Sequence, residues 1–192
     1  MQYSRLSVES RGRGLPQIDT ARLRLRSWRD DDRPAFAELN ADLRVMEYLH
    51  DVLSREESDA MVDRIEAHFE LHGFGLWAVE SRETARLSGF VGLSIPRFEA
   101  HFTPCVEVGW RLAHRDWGQG FATEAATAAL SFGFERLDLD EIVSFTVPRN
   151  LRSRRVMERI GMTHEPADDF DHPMFDTSHR LCRHVLYRAP RP

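Results

Sequence analysis

The stretch that joins a strand to a helix through two glycines restricts the fold more than any other part of this sequence. Apolar residues alternate with other residues from Val106 to Leu112, the period of a strand with two unlike faces. After Thr123, alanine, leucine and phenylalanine recur every three or four residues, which predicts a helix with a wide apolar face. Between them, Gly118 and Gly120 let the backbone approach an anion, and the first turn of a helix offers unpartnered N–H groups and a positive dipole end. The sequence therefore predicts a phosphate-binding turn.

The glycine spacing argues against two common kinds of phosphate site. Neither Lys-Ser nor Lys-Thr follows Gly120, as a P-loop would require. A dinucleotide-binding fold would have a third glycine at the position of Thr123 and an acidic residue at the end of the next strand, whereas Glu141 begins that strand. Nucleotide and dinucleotide binding are therefore disfavoured.

Two motifs carry a family resemblance. The stretch Arg115-Asp116-Trp117-Gly118-Gln119-Gly120-Phe121-Ala122-Thr123-Glu124-Ala125 resembles the pyrophosphate-binding motif of the GNAT superfamily of acyl-CoA-dependent N-acyltransferases. Its Trp-Gly-Gln-Gly-Phe-Ala portion is most similar to the branch of ribosomal-protein-alanine N-terminal acetyltransferases. Asn150-x-x-Ser153, with Val156–Met162 after it, is similar to the other CoA-side motif of that branch. The resemblance implies an α/β (α+β) fold, with a mixed, mostly antiparallel sheet of six or seven strands, a central parallel βαβ unit and about four helices on its faces.

Residues 1–17 show no sustained periodicity, so we predict a mobile N-terminal arm there and a single GNAT-like acyltransferase domain over residues 18–192. Strands are predicted at Arg22–Trp28, Leu76–Glu80, Leu87–Leu93, Cys105–Leu112, 142–147 and around His184–Tyr187. Helices are predicted from Pro34, from Ser54 to about His72, from near Thr123 and from Asn150, with a loop or short helix in Asp42–Leu53.

Composition excludes several function classes. The net charge of −5 argues against a general nucleic-acid or anionic-membrane binder. The sequence has no apolar run of ~20 residues and no apolar core of a secretion signal, and Cys105 and Cys182 are typical of core thiols in a reducing compartment. We therefore expect a cytoplasmic protein. The nine histidines lack ligand spacing, so no metal site is predicted.

The resemblance implies acetyl-CoA as co-substrate and a primary amine as acceptor, either a protein N-terminus or a small-molecule amine. It places coenzyme A against Leu112, Arg115, Trp117, Gly118, Gln119, Gly120, Phe121, Ala122, Thr123, Asn150 and Ser153. Arg115, Arg149 or Arg154 are alternatives for the outer 3′-phosphate. The other reading of the chain is a catalytically inactive acyl-CoA-binding module that acts as a sensor or interaction protein. Oligomeric state stays open, with a homodimer as one option.

Three residues are candidates for the chemistry. An amine with a pKa of about 10.4 must lose a proton before it attacks a thioester, and Glu107 is the predicted base, directly or through a water. Alternatively, Glu107 forms an ion pair with Arg111 on the same strand face. The backbone N–H of Leu112 is a candidate donor to the oxyanion. Ser153 is a candidate acid for the leaving thiolate, or simply a first-turn hydroxyl beside the N-cap Asn150.

The acceptor side gives weaker signals. Tyr48 and Trp77 are candidate substrate contacts, because the resemblance places that part of the chain over the acceptor pocket, although packing would explain both. His172 lies in a predicted loop and is a candidate titratable group, with plain surface exposure as the alternative.

Overall fold

The computed structural model describes residues 16–192, so most of the predicted arm lies outside the described residues. The strands are β1 (Ile18–Asp19), β2 (Leu23–Arg26), β3 (Leu76–Ser81), β4 (Leu87–Ser94), β5 (Glu107–Leu112), β6 (Glu141–Thr146), β7 (Thr163–His164), β8 (Phe170–Asp171) and β9 (Arg183–Pro190). The α-helices are α1 (Arg33–Asn40), α2 (Leu43–Met46), α3 (Arg55–His72), α4 (Phe121–Arg136) and α5 (Leu151–Arg159).

The strands form one mixed sheet in the order β1-β2-β3-β4-β5-β6-β9-β7, with β8 also paired to β9. Among the strands of residues 16–192, only β5 and β6 run parallel, and α4 connects them, so the predicted central βαβ unit is confirmed. The described chain has nine strands instead of six or seven because β1, β7 and β8, of two residues each, carry no alternating pattern long enough to read from sequence. The fifth helix, α2, lies in the segment predicted as a loop or short helix.

Local signals explain where the main helices begin and end. Ser54 and Glu57 form the capping box before α3, and Gly73 ends that helix with a φ of +75°. Asn150 caps α5, because its side chain accepts a hydrogen bond from the N–H of Ser153. The helix α4 begins at Phe121, slightly before the predicted start.

The sheet separates α4 from α1. On one face, a Cβ built at Gly133 of α4 would lie 2.5 Å from the Cδ1 of Ile142 and 3.1 Å from that of Leu93, which shows how closely this helix packs. On the other face, Phe90 of β4 meets Phe36 of α1 edge-on, with ring centroids 6.0 Å apart. Each side chain of β5 therefore faces either α4 or α1, according to its position in the alternation.

Three further predictions concern membrane-spanning helices, metal-binding clusters and the state of the two cysteines. Within residues 16–192, no helix has the length and apolar character needed to cross a bilayer. The same residues contain no cluster of three or more histidine, cysteine or acidic side chains able to hold a metal ion. Cys105 and Cys182 are buried free thiols, as predicted, and burial raises the pKa of Cys105 to about 12.

Candidate active site

A cleft of about 600 Å³ opens where β5 and β6 separate. The two parallel strands pair only at Glu107 and Val143, whereas β4 and β5 stay paired from Gly89 with Leu112 to Ser94 with Glu107. Beyond Glu107 the cleft therefore occupies the place that a neighbouring strand would fill. Its walls come from α2, β5, the turn before α4, the end of β6, and α5.

Backbone amides of β5 point into this gap. The N–H of Ala113 donates to Ser88 on β4, and the N–H of Val143 on β6 donates to the carbonyl of Val106. Amides along a strand alternate between its two neighbours, so the N–H groups of Val108, Trp110 and Leu112 face the side of β6. The bridge between Glu107 and Val143 uses the N–H of Val108, whereas no strand lies opposite those of Trp110 and Leu112. The amide of Leu112 thus has no strand opposite it, and the amide of Trp110 shares its direction.

The turn before α4 has the backbone shape predicted from its glycines. Gly118 and Gly120 have φ values of +75° and +81°, and the turn and the first residues of α4 line the cleft. Among the described residues, no protein group accepts a hydrogen bond from the amides of residues 118–123. Trp117 anchors the turn because its indole Nε1 donates to the carbonyl of Leu112 at 2.9 Å. The turn therefore contributes unpaired backbone N–H donors to the wall of the cleft.

Two residues predicted to contact coenzyme A do not lie on the cleft wall. Arg115 points away and donates from Nη2 to the carbonyl of Leu87 at 2.6 Å. Gln119 donates its side-chain amide to the carbonyl of Arg115 at 3.1 Å. Neither side chain therefore supports the predicted contact with the cofactor. The contact predicted for the backbone N–H of Gln119 stays a prediction, because that amide has no acceptor among the described residues.

Glu124 ties the turn to the start of the sheet. Its carboxylate accepts hydrogen bonds from the Thr20 hydroxyl at 2.6 Å, the Arg22 backbone N–H at 2.9 Å and the Arg22 guanidinium at 2.7 Å. Arg22 also donates to the carbonyl of Gln119 at 2.9 Å. Burial opposes the charge on Glu124, but these bonds outweigh it and lower the pKa of the carboxyl below its ordinary value. The motif glutamate is therefore a structural tether.

Glu107 lies on the cleft wall, and the predicted alternative of an ion pair with Arg111 is wrong. The guanidinium of Arg111 instead donates to Asn40 at 2.6 Å and lies over the ring of Phe90. Burial raises the pKa of Glu107 to about 8. A carboxyl group with that pKa exchanges protons near neutral pH, as a general base must.

Ser153 faces the same cleft from α5. Its hydroxyl oxygen accepts a hydrogen bond from Nε1 of Trp110 at 3.0 Å, so its own O–H remains available to donate. The N-cap bond from its backbone to Asn150 fixes the first turn around it. Sequence reasoning missed Trp110, although its place in the strand alternation, facing α4 and α5, was a usable signal.

The arginines of α5 differ in their surroundings. Arg154, predicted as a phosphate ligand, donates to the hydroxyl of Tyr187 and the carbonyl of Pro148 and does not line the cleft. Arg155 and Arg159 are exposed, line the cleft, and form no ion pair with a described residue. Their spacing of four residues places both on one face of the helix.

Arg152 crosses the mouth of the cleft. Its guanidinium lies 4.4 Å from the ring centroid of Trp117 and donates to Glu47 at 2.9 Å. Tyr48, a predicted substrate contact, lies next to Glu47 and lines the cleft. Part of the cleft wall is thus formed by α2 and the residues after it.

The other two predicted substrate contacts are placed elsewhere. Trp77 is fully buried, packs edge-on against Phe132 of α4 and belongs to the hydrophobic core. His172 is buried among aromatic rings, 4.4 Å from the centroid of Phe98 and 5.0 Å from that of His184, and does not line the cleft. Packing explains both residues, and neither reaches the cleft.

Comparisons with known proteins agree with this arrangement. The family model described as an acetyltransferase (GNAT) domain matches residues 22–163. An uncharacterized Bacillus subtilis protein, YkkB, is 32% identical over 147 residues, covering 76% of this chain and 84% of the relative. The FsC-acetyl coenzyme A-N(2)-transacetylase of Aspergillus fumigatus is 31% identical over 159 residues, covering 78% of this chain and 66% of that protein.

Solved structures show the same fold. A GNAT-family acetyltransferase from Bacillus anthracis superimposes with a TM-score of 0.76 at 25% identity, covering 92% of this chain and 99% of the other. Ribosomal-protein acetyltransferases also share the fold, with TM-scores of 0.72 and 0.73 at 15% and 19% identity, and at that identity the likeness is one of fold alone.

Proposed function

Since this chain belongs to the GNAT acetyltransferase family, we propose that it transfers the acetyl group of acetyl-CoA to a primary amine by direct attack within a ternary complex. One observation carries the proposal. The unpaired amides of the glycine turn, the gap beside β5 and the carboxyl of Glu107 all open into one cleft. That cleft has the size typical of a small-molecule site.

The glycine turn supplies the anion site of this proposal. Its free amides and the N-terminus of α4 favour a diphosphate, and the positive φ angles keep Cβ atoms away from it. Coenzyme A also carries an outer 3′-phosphate. Arg155 and Arg159 line the cleft, whereas Arg115, Arg149 and Arg154 do not, so the first two are the better candidates to bind it. The name of the Aspergillus relative supports acetyl as the transferred group.

The β5 gap orients the reacting end. The amides of Trp110 and Leu112, which face no neighbouring strand, are donors for the thioester arm and for the oxyanion that forms when the amine attacks the carbonyl carbon. In that step a C–N bond forms, and the amine proton passes to Glu107, directly or through a water.

Collapse of the oxyanion breaks the C–S bond and releases the thiol. Because a thiol has a pKa of about 8.5, its departure needs only modest help, and the Ser153 hydroxyl has its O–H free to give it. The proton that Glu107 holds then returns to solvent. In this proposal the tetrahedral intermediate forms between a base on β5 and a hydroxyl donor on α5.

Two measurements test the proposal. Calorimetry with acetyl-CoA, NAD and ATP should show binding of acetyl-CoA in preference to the other two, and a preference for NAD or ATP would refute the coenzyme A site. Thiol release should then be measured with peptides of different first residues and with small amines, for the wild type and for Glu107→Gln. Acetyl-CoA binding without thiol release across the panel would identify an inactive acyl-CoA-binding module instead.

A further inference from the structure

Arg111 is a charged side chain of the cleft wall for which the proposed transfer chemistry has no role. It lies two residues after Gly109, while Glu107 lies two residues before, so all three share the face of β5 that looks toward α1. Trp110 and Ser153 meet on the opposite face, beside α5. Glu107 and Arg111 therefore flank a side-chain-free gap on the face away from the α5 donors.

The guanidinium of Arg111 is incompletely satisfied. One terminal nitrogen, Nη1, donates to the amide oxygen of Asn40 at 2.6 Å and contacts the sulfur of Met61 at 3.7 Å. The Nε atom is buried without a hydrogen-bond partner, and within residues 16–192 no carboxylate forms an ion pair with this side chain. A partly buried cation without a counterion is costly. Within the described residues Nη2 has no hydrogen-bond partner and, unlike Nε, is not buried, so it is the donor that a carboxylate in the cleft can reach.

Two other arginines of the cleft have acidic partners, whereas Arg155 and Arg159 lack an ion pair with a described residue but are exposed to solvent. Arg44 pairs with Asp42 at 2.7 Å, and Arg152 pairs with Glu47 at 2.9 Å. Burial lowers the pKa of Arg111 to about 10, which still leaves it charged at neutral pH. A cation is therefore present on the face of β5 toward α1, and no acid of the described residues forms an ion pair with it.

We propose that Arg111 binds an acid group of the acceptor, so that the acceptor is an amine carrying a carboxylate within a few bonds of the reacting nitrogen. This inference rests on the proposed acetyl transfer and names its substrate class. An amine that reacts over Gly109 lies roughly 7 Å from the Cα of Arg111, within reach of an extended arginine side chain. Free amino acids and peptides that begin with an acidic residue both have this chemistry.

The test compares matched acceptors that differ only in charge. Thiol release is measured for α-, β- and γ-amino acids and their carboxamides, and for peptides that begin with Asp or Glu and their Asn or Gln counterparts. We expect at least one acid-bearing member to exceed its neutral partner by about tenfold or more in kcat/KM, the size of one charge-assisted contact. The free and peptide arms identify the source of the acid. Equal turnover of both members in every pair would overturn the inference.

Arg111→Met removes the charge and keeps an apolar stem of similar length. We expect it to raise KM for the acid-bearing acceptor about 10- to 100-fold, while turnover of the neutral partner and the Kd for acetyl-CoA change less than about twofold. Arg24→Met, on β2 outside the cleft, is the matched control and should leave both acceptors unchanged. Equal losses for acid and neutral acceptors in Arg111→Met would indicate a packing role and contradict the inference.

Calorimetry separates this inference from the proposed function. Binding of the same acid-bearing amines to the CoA-loaded protein needs no turnover, and we expect it to be lost in Arg111→Met while coenzyme A binding persists. If acetyl-CoA binds but the acid-bearing amines bind no better than their neutral partners, the Arg111 assignment fails and the coenzyme A site stands. Failure of acetyl-CoA to bind would instead reject the proposed function. A thermal unfolding scan of each variant confirms that it is folded.

Discussion

Glu107 gives the proposed reaction a pH dependence that can be calculated. Burial raises its pKa to about 8. At pH 7 about one tenth of the molecules then carry the carboxylate, and at pH 9 about nine tenths do. A general base acts only when deprotonated, so the part of kcat/KM that depends on Glu107 should rise about tenfold between these pH values and then level off.

The assay is thiol release between pH 6 and pH 9.5 for the wild type and for Glu107→Gln, which keeps the size of the side chain and removes its titration. The acceptor amine also loses protons over this range, but its contribution cancels in the ratio of the two rates. We expect that ratio to rise about tenfold from pH 7 to pH 9. A ratio that stays constant across the range would refute the assignment of Glu107 as base, and a ¹³C NMR titration of the side-chain carboxyl would measure its pKa directly.

Three other perturbations follow from the geometry. The pKa of Glu107 in the folded state lies above the ordinary 4.5. The free energy of unfolding therefore falls as pH rises from about 4.5 through about 8, by about 1.4 kcal/mol per pH unit. Urea unfolding should show that Glu107→Gln gains stability relative to the wild type between these pH values. Gly118→Ala must place a Cβ at a φ of +75°, so we expect a loss of about 1 kcal/mol in unfolding free energy and weaker coenzyme A binding by calorimetry, and unchanged affinity would refute the role of the turn. Replacing Arg155 and Arg159 together by Gln should reduce affinity for coenzyme A about tenfold or more but leave 3′-dephospho-coenzyme A unaffected, whereas equal losses for both ligands would exclude a contact with the outer phosphate.

The cofactor half of the site could be predicted because its signals are local. A turn with two glycines needs φ angles that other residues rarely adopt, and the flanking periodicities fix which end of which helix it faces. The positions of Gly118, Gly120 and Asn150 follow from such short-range rules, and the structure agrees with each. The strand pattern around Val106 also located the parallel pair, since a strand, a helix and a second strand in succession favour a parallel connection.

Side-chain direction was harder to predict than backbone position. Arg115 and Gln119 lie within the motif, but their side chains turn away from the cleft toward backbone carbonyls. Sequence spacing gives no signal for this, because it depends on which carbonyls the folded chain leaves without donors. Arg155 and Arg159 do line the cleft, and their four-residue spacing on a helix made them available to the same reasoning.

The acceptor half depends on contacts between distant parts of the chain. Arg111 donates a hydrogen bond to Asn40 of α1, which is 71 residues away in the sequence. No local sequence pattern predicts a contact between residues so far apart. Trp77 looked like a substrate contact from its chain position, yet β3 directs it toward α4, where it is fully buried. The missing partner of Arg111 has the same origin as the missing strand beside β5. Both are polar groups of the cleft wall that the described chain leaves without a partner. The unpaired amides of β5 favour binding of the acyl donor, and the unused Nη2 of Arg111 favours an acceptor that carries a negative charge.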